Sequence, residues 1–166
     1  MNTRTEPTPA ATAPEPLAAN LCWLLSQAGH ALTTELTAGL EGLGISPRGY
    51  CVLTSAMTGD HTQTELARMV GIDKTTMVVT LDELEAAGLA ERRPAAADRR
   101  VRVIGVTAAG RAKVAEADGV SRRIQADVLE ALPSRERAAL MSALVRLVSG
   151  RLSEPAACAQ PVRRRA

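Results

Sequence analysis

Thr62-Gln63-Thr64-Glu65-Leu66-Ala67-Arg68-Met69-Val70-Gly71-Ile72-Asp73-Lys74-Thr75-Thr76-Met77-Val78 is the stretch on which the fold turns. Thr62 and Glu65 form a capping box: a hydroxyl first, a carboxylate three residues later, each able to satisfy an amide at a helix start. Leu66, Ala67 and Val70 then make a short amphipathic helix that stops at Gly71. Gly71-Ile72-Asp73 reads as a tight turn. A further helix follows, with Met77, Val78, Leu81 and Leu84 as its expected buried face and Gly88 as its stop. Two short helices separated by about four residues containing glycine have helix-turn-helix spacing.

Beyond Gly88 the pattern changes. Leu89-Ala90-Glu91-Arg92-Arg93 is followed by Pro94-Ala95-Ala96-Ala97-Asp98 and then by Val101-Arg102-Val103-Ile104-Gly105-Val106. Alternating Val and Arg on the return segment predicts a strand with one buried face, so the unit is a β-hairpin with its loop near residues 94–99. A hairpin directly after a helix-turn-helix is a wing. Before the motif, Leu17, Leu21, Leu24, Leu25, Ala28, Leu32, Leu36 and Leu40 recur every three or four residues and predict one long helix ended by Gly42 and Gly44. Ser46-Pro47 opens a second helix, with proline where its missing N–H costs little. After the wing, Thr107 caps a long helix bearing Val114, Ala117, Val120, Ile124 and Val128. Pro133 breaks it, and Ser134 caps a last helix with Leu140, Met141, Leu144, Val145 and Val148 inward.

Composition limits the function classes. The 166 residues suit one domain, or one domain with long end helices. Trp23 and Tyr50 are the only aromatic residues, so the core is aliphatic and no ring platform exists for single-stranded nucleic acid. No apolar run approaches the roughly 18–20 residues of a membrane span, and the Pro/Thr/Ala-rich start has no apolar signal core. Cys22, Cys51 and Cys158 contain no CxxC pair and point to a reducing, cytoplasmic setting rather than a disulfide framework. Cys51 is expected to pack and Cys158 to lie in the tail. Residues 1–16 are expected to be a disordered arm and 154–166 a flexible basic tail, because neither buries enough apolar surface to offset ordering entropy.

The net charge of +2 is unevenly placed. Residues 91–102 hold five arginines against two acids, and Arg163-Arg164-Arg165 add to them. These stretches carry +6 and leave −4 elsewhere. Such asymmetry predicts a local anionic partner. The second helix of the motif begins Lys74-Thr75-Thr76, with Thr80 one turn on. Threonine hydroxyls bond base edges or phosphates, and their methyls touch thymine. Lys74 opposes the helix macrodipole, a small cost that a nearby phosphate or guanine would offset. Arg92, Arg93, Arg99, Arg100 and Arg102 sit on or near the wing, and Asp98 is placed to orient Arg100. A weakly hydrated guanidinium suits a narrow minor groove. A plain amphipathic helix and a solvated charged hairpin are the competing readings of the same residues.

The ordered set resembles the MarR family of winged helix-turn-helix regulators. It is carried by Thr64-Glu65-Leu66-Ala67, Gly71-Ile72-Asp73-Lys74-Thr75-Thr76, Leu84-Glu85-Ala86-Ala87-Gly88-Leu89-Ala90-Glu91-Arg92, Asp98-Arg99-Arg100 and Val106-Thr107-Ala108-Ala109-Gly110-Arg111, within residues 17–152. The resemblance implies a mainly α fold with a small β-hairpin wing and a homodimer. A first dimerisation helix would span 17–45, a DNA-binding lobe 46–106 and C-terminal dimerisation helices 107–153. It also implies that Asp98 and Arg100 are the wing's orienting pair. Thr80 departs from the family, many of whose members carry Arg near that position.

Two regulatory readings stay open. Asn20-Leu21-Cys22-Trp23, with Tyr50 and Ala95-Ala96-Ala97-Asp98, is similar to the organic-hydroperoxide-sensing branch, which implies an oxidisable Cys22. The chain departs from that branch in carrying Leu36 and Pro47 where it supplies tyrosines. Against this stands a cysteine acting as a small hydrophobe. On the first helix, Trp23, Gln27 and His30 fall opposite the leucine stripe. They either pack against a partner subunit or, with Tyr50 and Met57, line a pocket for a lipophilic or phenolic effector.

Other classes find less support. There is no GxSxG, HExxH or phosphate-binding glycine loop. A zinc site from His30, His61 and a cysteine has no motif spacing, so neither enzyme nor metal is expected, and no cofactor. A winged helix that binds protein rather than DNA has no need of clustered wing arginines.

Overall fold

Residues 15–154 are described by the computed structural model. The chain divides into two units at Arg122/Arg123, within the fifth helix. The expectations placed on residues 1–14, on Cys158 and on Arg163 to Arg165 lie outside the described residues.

Helix α1 (Leu21–Leu40) begins four residues later than its leucine pattern predicts. Glu15–Leu17 forms a 3-10 turn, and Asn20 then takes the cap, its side-chain oxygen accepting from the Trp23 amide at 2.9 Å. A second 3-10 turn, Glu41–Leu43, leads to Gly44, whose φ of +64° sits in the left-handed region that glycine adopts without strain. Helix α2 (Pro47–Ala56) is capped by Ser46 Oγ, which accepts from the Gly49 amide at 3.0 Å. The capping box forms as predicted. Thr62 N donates to Glu65 Oε2 at 2.7 Å, Glu65 N donates back to Thr62 Oγ1 at 3.3 Å, and α3 runs Gln63–Val70. Asp73 caps α4 (Lys74–Ala86), accepting from the Thr76 amide at 2.9 Å and the Thr76 hydroxyl at 2.6 Å.

Strands β1 (Ala90–Pro94) and β2 (Arg102–Val106) pair antiparallel, with Arg92 opposite Ile104. The outer edge of β2 is partly covered, because Ile104 N donates to the His61 carbonyl at 2.9 Å. Helix α5 (Ala108–Glu130) starts where Thr107 Oγ1 accepts from Gly110 N at 3.0 Å and donates to the Gly88 carbonyl at 2.8 Å. Gly110 is required there. A Cβ would lie 2.1 Å from the Leu89 carbonyl oxygen and 2.8 Å from Val106 Cγ1. The core of the first unit is aliphatic, as composition dictates: Leu40, Val52, Leu53, Leu66, Met77, Leu81 and Ile104 are buried, together with Val114 and Ala117 of α5.

The second unit holds the end of α5 and helix α6 (Ser134–Ser149). Ser134 does not cap α6 as expected. The cap position is Pro133, which offers no side-chain oxygen, and Ser134 is the first helical residue. Arg137 turns back instead, donating to the carbonyls of Leu132 at 2.9 Å and Glu130 at 3.3 Å.

The apolar stripe of α6 is not inward in the single chain. Leu140, Met141, Val145 and Val148 are exposed, and no residue of α6 is buried. The same holds at the start of α1, where Leu21, Leu24 and Leu25 are exposed and only Leu40 is fully buried. Among the described residues, no helix is long and apolar enough to cross a membrane.

Candidate nucleic-acid interface

The first turn of α4 presents Lys74 and Thr75 to solvent. Thr76 is half-buried, and its hydroxyl is committed to Asp73, so it serves the cap. Two expectations for this helix are corrected. Thr80 is 1% exposed and donates its hydroxyl to the Thr76 carbonyl at 2.8 Å, so it cannot reach a base edge. Val78, placed in the buried face by residue type, is 39% exposed, and Val79 is 51% exposed. The buried face is Met77, Thr80, Leu81 and Leu84, which follows the 100° periodicity strictly. The threonine is tolerated inside because its single hydroxyl proton finds a backbone acceptor within its own helix.

The wing arginines separate into two groups. Arg92 donates its guanidinium to Glu85, and to Asp82 at 2.8 Å. Its backbone amide also donates to Glu85 Oε1 at 2.7 Å. Arg93 donates to Asp60 Oδ1 at 2.7 Å. These two, expected as DNA contacts, already have their charge compensated, and they fasten the root of the wing to α4 and to the loop after α2. Arg99, Arg100 and Arg102 are exposed at or near the tip.

Asp98 organises that tip. It accepts from the Arg100 amide at 2.9 Å and from Arg100 Nε at 3.3 Å, leaving the Arg100 side chain 92% exposed. The Arg100 amide first, and its guanidinium second, hold the Asp98 carboxyl below its ordinary range. The turn closes by Val101 N to the Asp98 carbonyl and Ala95 N to the Val101 carbonyl, both at 2.9 Å. The outcome is a two-stranded projection whose three tip cations have, among the described residues, no acidic partner other than Asp98.

The MarR family model matches residues 43–101, from the turn before α2 to the tip of the wing. The chain belongs to the MarR family. This MarR-family chain is 27% identical to the transcriptional repressor CouR bound to a 23-mer DNA duplex, over 84% of this chain and 99% of that one, with a TM-score of 0.74. It is 31% identical to the transcriptional regulator PA3341, over 79% and 97%, with a TM-score of 0.68. It is 28% identical to a MarR family protein of Mycobacterium tuberculosis in complex with p-aminosalicylic acid, over 78% and 98%, with a TM-score of 0.66. MarR-family regulators are dimeric DNA-binding proteins with small-molecule effectors.

Of the five residues expected to line an effector pocket, Trp23, Gln27, His30 and Tyr50 border none of the cavities described for the MarR-family chain. Trp23 is half-buried on α1, where Gln27 and His30 are exposed. Tyr50 is half-buried and donates its hydroxyl to Asp118 Oδ1 of α5 at 2.5 Å. Only Met57 borders a described cavity. That cavity, of about 440 Å³, lies between the end of α2, the wing root and the start of α5, and Asp60, Arg93, Ile104 and Arg111 also line it.

Cys22 is exposed. Its sulfur has no hydrogen-bond or charge partner among the described residues. Cys51, expected to pack, reaches the surface as well, yet the protein around its sulfur desolvates it and pushes the thiol up, the reverse of what a reactive thiolate requires.

Sequence reasoning missed Val79 as a surface group of α4, the acidic partners of Arg92 and Arg93, and the Tyr50–Asp118 bond. Val79 was discoverable, since it sits two positions from Met77 and 200° around the helix from it.

Proposed function

We propose that the protein is a homodimeric repressor that grips a palindromic operator and lets go when a small lipophilic or phenolic ligand binds. One α4 from each subunit enters the major groove, with Lys74 and Thr75 leading. Each wing reaches the adjoining minor groove through Arg99 and Arg100, with Arg102 next to them at the loop end of β2. Half-sites then lie about one helical turn, ~34 Å, apart.

The observation that carries this reading is the sorting of the arginines. Those nearer the wing root are neutralised by Glu85, Asp82 and Asp60, while those at the tip are exposed to solvent with Asp98 as their one acidic partner among the described residues. A winged helix that only bound protein would have no use for that separation. The DNA-bound state of CouR and the aromatic acid held by the mycobacterial relative support the two halves of the proposal. The ligand acts by population shift: it binds best where the two α4 helices are wrongly spaced for the duplex. Thiol switching through Cys22 has exposure alone in its favour.

The test is a gel-shift titration on a duplex selected from a randomised pool, repeated across salt concentrations. Affinity should fall linearly in log–log form with salt, with a slope set by the phosphates neutralised. Binding that shows no salt dependence, or no enrichment of any sequence, overturns the reading.

A further inference from the structure

The exposed face of α4 carries an unexpected chemistry. At 100° per residue, Lys74, Thr75, Val78, Val79 and Asp82 share that face, and each is solvent-exposed. Its centre is apolar. Val79, at 51%, and Val78, at 39%, stand next to Thr75, and Lys74 is the only cation on the helix. Asp82 is already bonded to Arg92 at 2.8 Å.

We infer that this face reads the C5-methyl groups of thymine, so that the preferred half-site places thymines opposite Val78 and Val79. The inference rests on the DNA-binding reading above and deepens it. Each base pair shows a different pattern in the major groove. Guanine shows two acceptors and is matched by Arg or Lys, cytosine shows a donor and is matched by a carboxylate, and adenine is matched by Asn or Gln. The centre of α4 has none of these free. Lysine stands only at its first residue, Asp82 is held by Arg92, and the exposed Glu83 lies a full turn beyond Val79. Thymine alone adds an apolar group, the methyl, and a branched aliphatic side chain is its natural complement.

The surroundings fix the occupant. The valine pair continues the helix face begun by Lys74 and Thr75, and Arg99 and Arg102 of the wing, which have no acidic partner among the described residues, supply charge for a polyanion. Burying the valines against methyls also removes apolar surface that the free protein leaves in water.

The experiment uses the full-length protein and a duplex selected from a randomised pool. In one version the half-site thymines are replaced by deoxyuridine, which removes only the C5-methyl. The wild-type protein should bind the deoxyuridine duplex about four-fold more weakly for each methyl that Val78 or Val79 would otherwise cover. Val79→Ser, a surface change that leaves the core intact, should bind the two duplexes with a much smaller difference. Equal binding of both duplexes by the wild type overturns the inference while leaving DNA binding standing. So does a Val79→Ser protein that discriminates as well as the wild type. A pool in which no sequence is enriched overturns the DNA-binding reading itself, and the inference with it.

Discussion

Tyr50 and Asp118 join α2 to α5 through a single hydrogen bond, 68 positions apart in sequence. Burial first, and the Asp118 carboxylate second, raise the Tyr50 hydroxyl above its ordinary value of 10.0. A raised folded pKa means that the stabilisation is complete below about pH 10 and is lost as pH climbs through the higher folded value. Tyr50→Phe should cost about 1 kcal/mol in urea denaturation at neutral pH. It should also flatten the alkaline loss of stability seen in the wild type. An unchanged midpoint would show that the bond contributes nothing net.

Arg100→Ala should weaken binding to the selected duplex by about 1–3 kcal/mol, and Arg99→Ala should lower the salt slope by about one. Both are read by gel shift. Thermal stability should not move, because neither side chain packs against the rest of the chain.

Arg92→Ala should behave in the opposite way. Its guanidinium is partly screened and held by two carboxylates, so its loss should lower stability by about 1 kcal/mol and leave the salt slope unaltered. A drop in slope equal to that of Arg99→Ala would return Arg92 to the set of DNA contacts.

Asp98 has its carboxyl below the ordinary 3.8 through the Arg100 amide and guanidinium. Its contribution to wing order is therefore present above about pH 4 and disappears as pH falls through the lower folded value. Asp98→Asn should weaken DNA binding less than Arg100→Ala does, since it loosens the turn but keeps the cation. A larger effect than Arg100→Ala would mean that Asp98 does more than orient its neighbour.

Gly110→Ala should destabilise by about 1–3 kcal/mol, read by thermal denaturation. The added Cβ meets the Leu89 carbonyl oxygen at 2.1 Å, which is backbone and cannot swing aside. A neutral result would mean that α5 can lift from the wing root at no cost.

The boundaries of the helix-turn-helix were legible because the signals that set them are local. Thr62 with Glu65, Gly71 and Asp73 each act within three or four residues. The wing was legible for the same reason. The exchange between Thr80 and Val78 was not, because polarity and angular position disagree at these two residues and angular position prevails: Thr80 hides its hydroxyl within its own helix, and Val78 lies on the solvent side. The quenching of Arg92 and Arg93 was also hidden. Their carboxylate partners lie 7, 10 and 33 positions away and meet them only once the hairpin has folded back. The stripes on α1 and α6 were visible as faces needing cover, but periodicity in one chain cannot say whether the cover lies in that chain or in another.

The greasy surfaces on α1 and α6 share no residue with the wing. On the reading that two subunits meet through those surfaces, as the family resemblance implies, a subunit whose wing has been blanked keeps its appetite for a companion. Mixed with intact protein it would form hybrids that hold the operator with one hand, so a damaged copy of the gene would poison a healthy one rather than merely fail to help it.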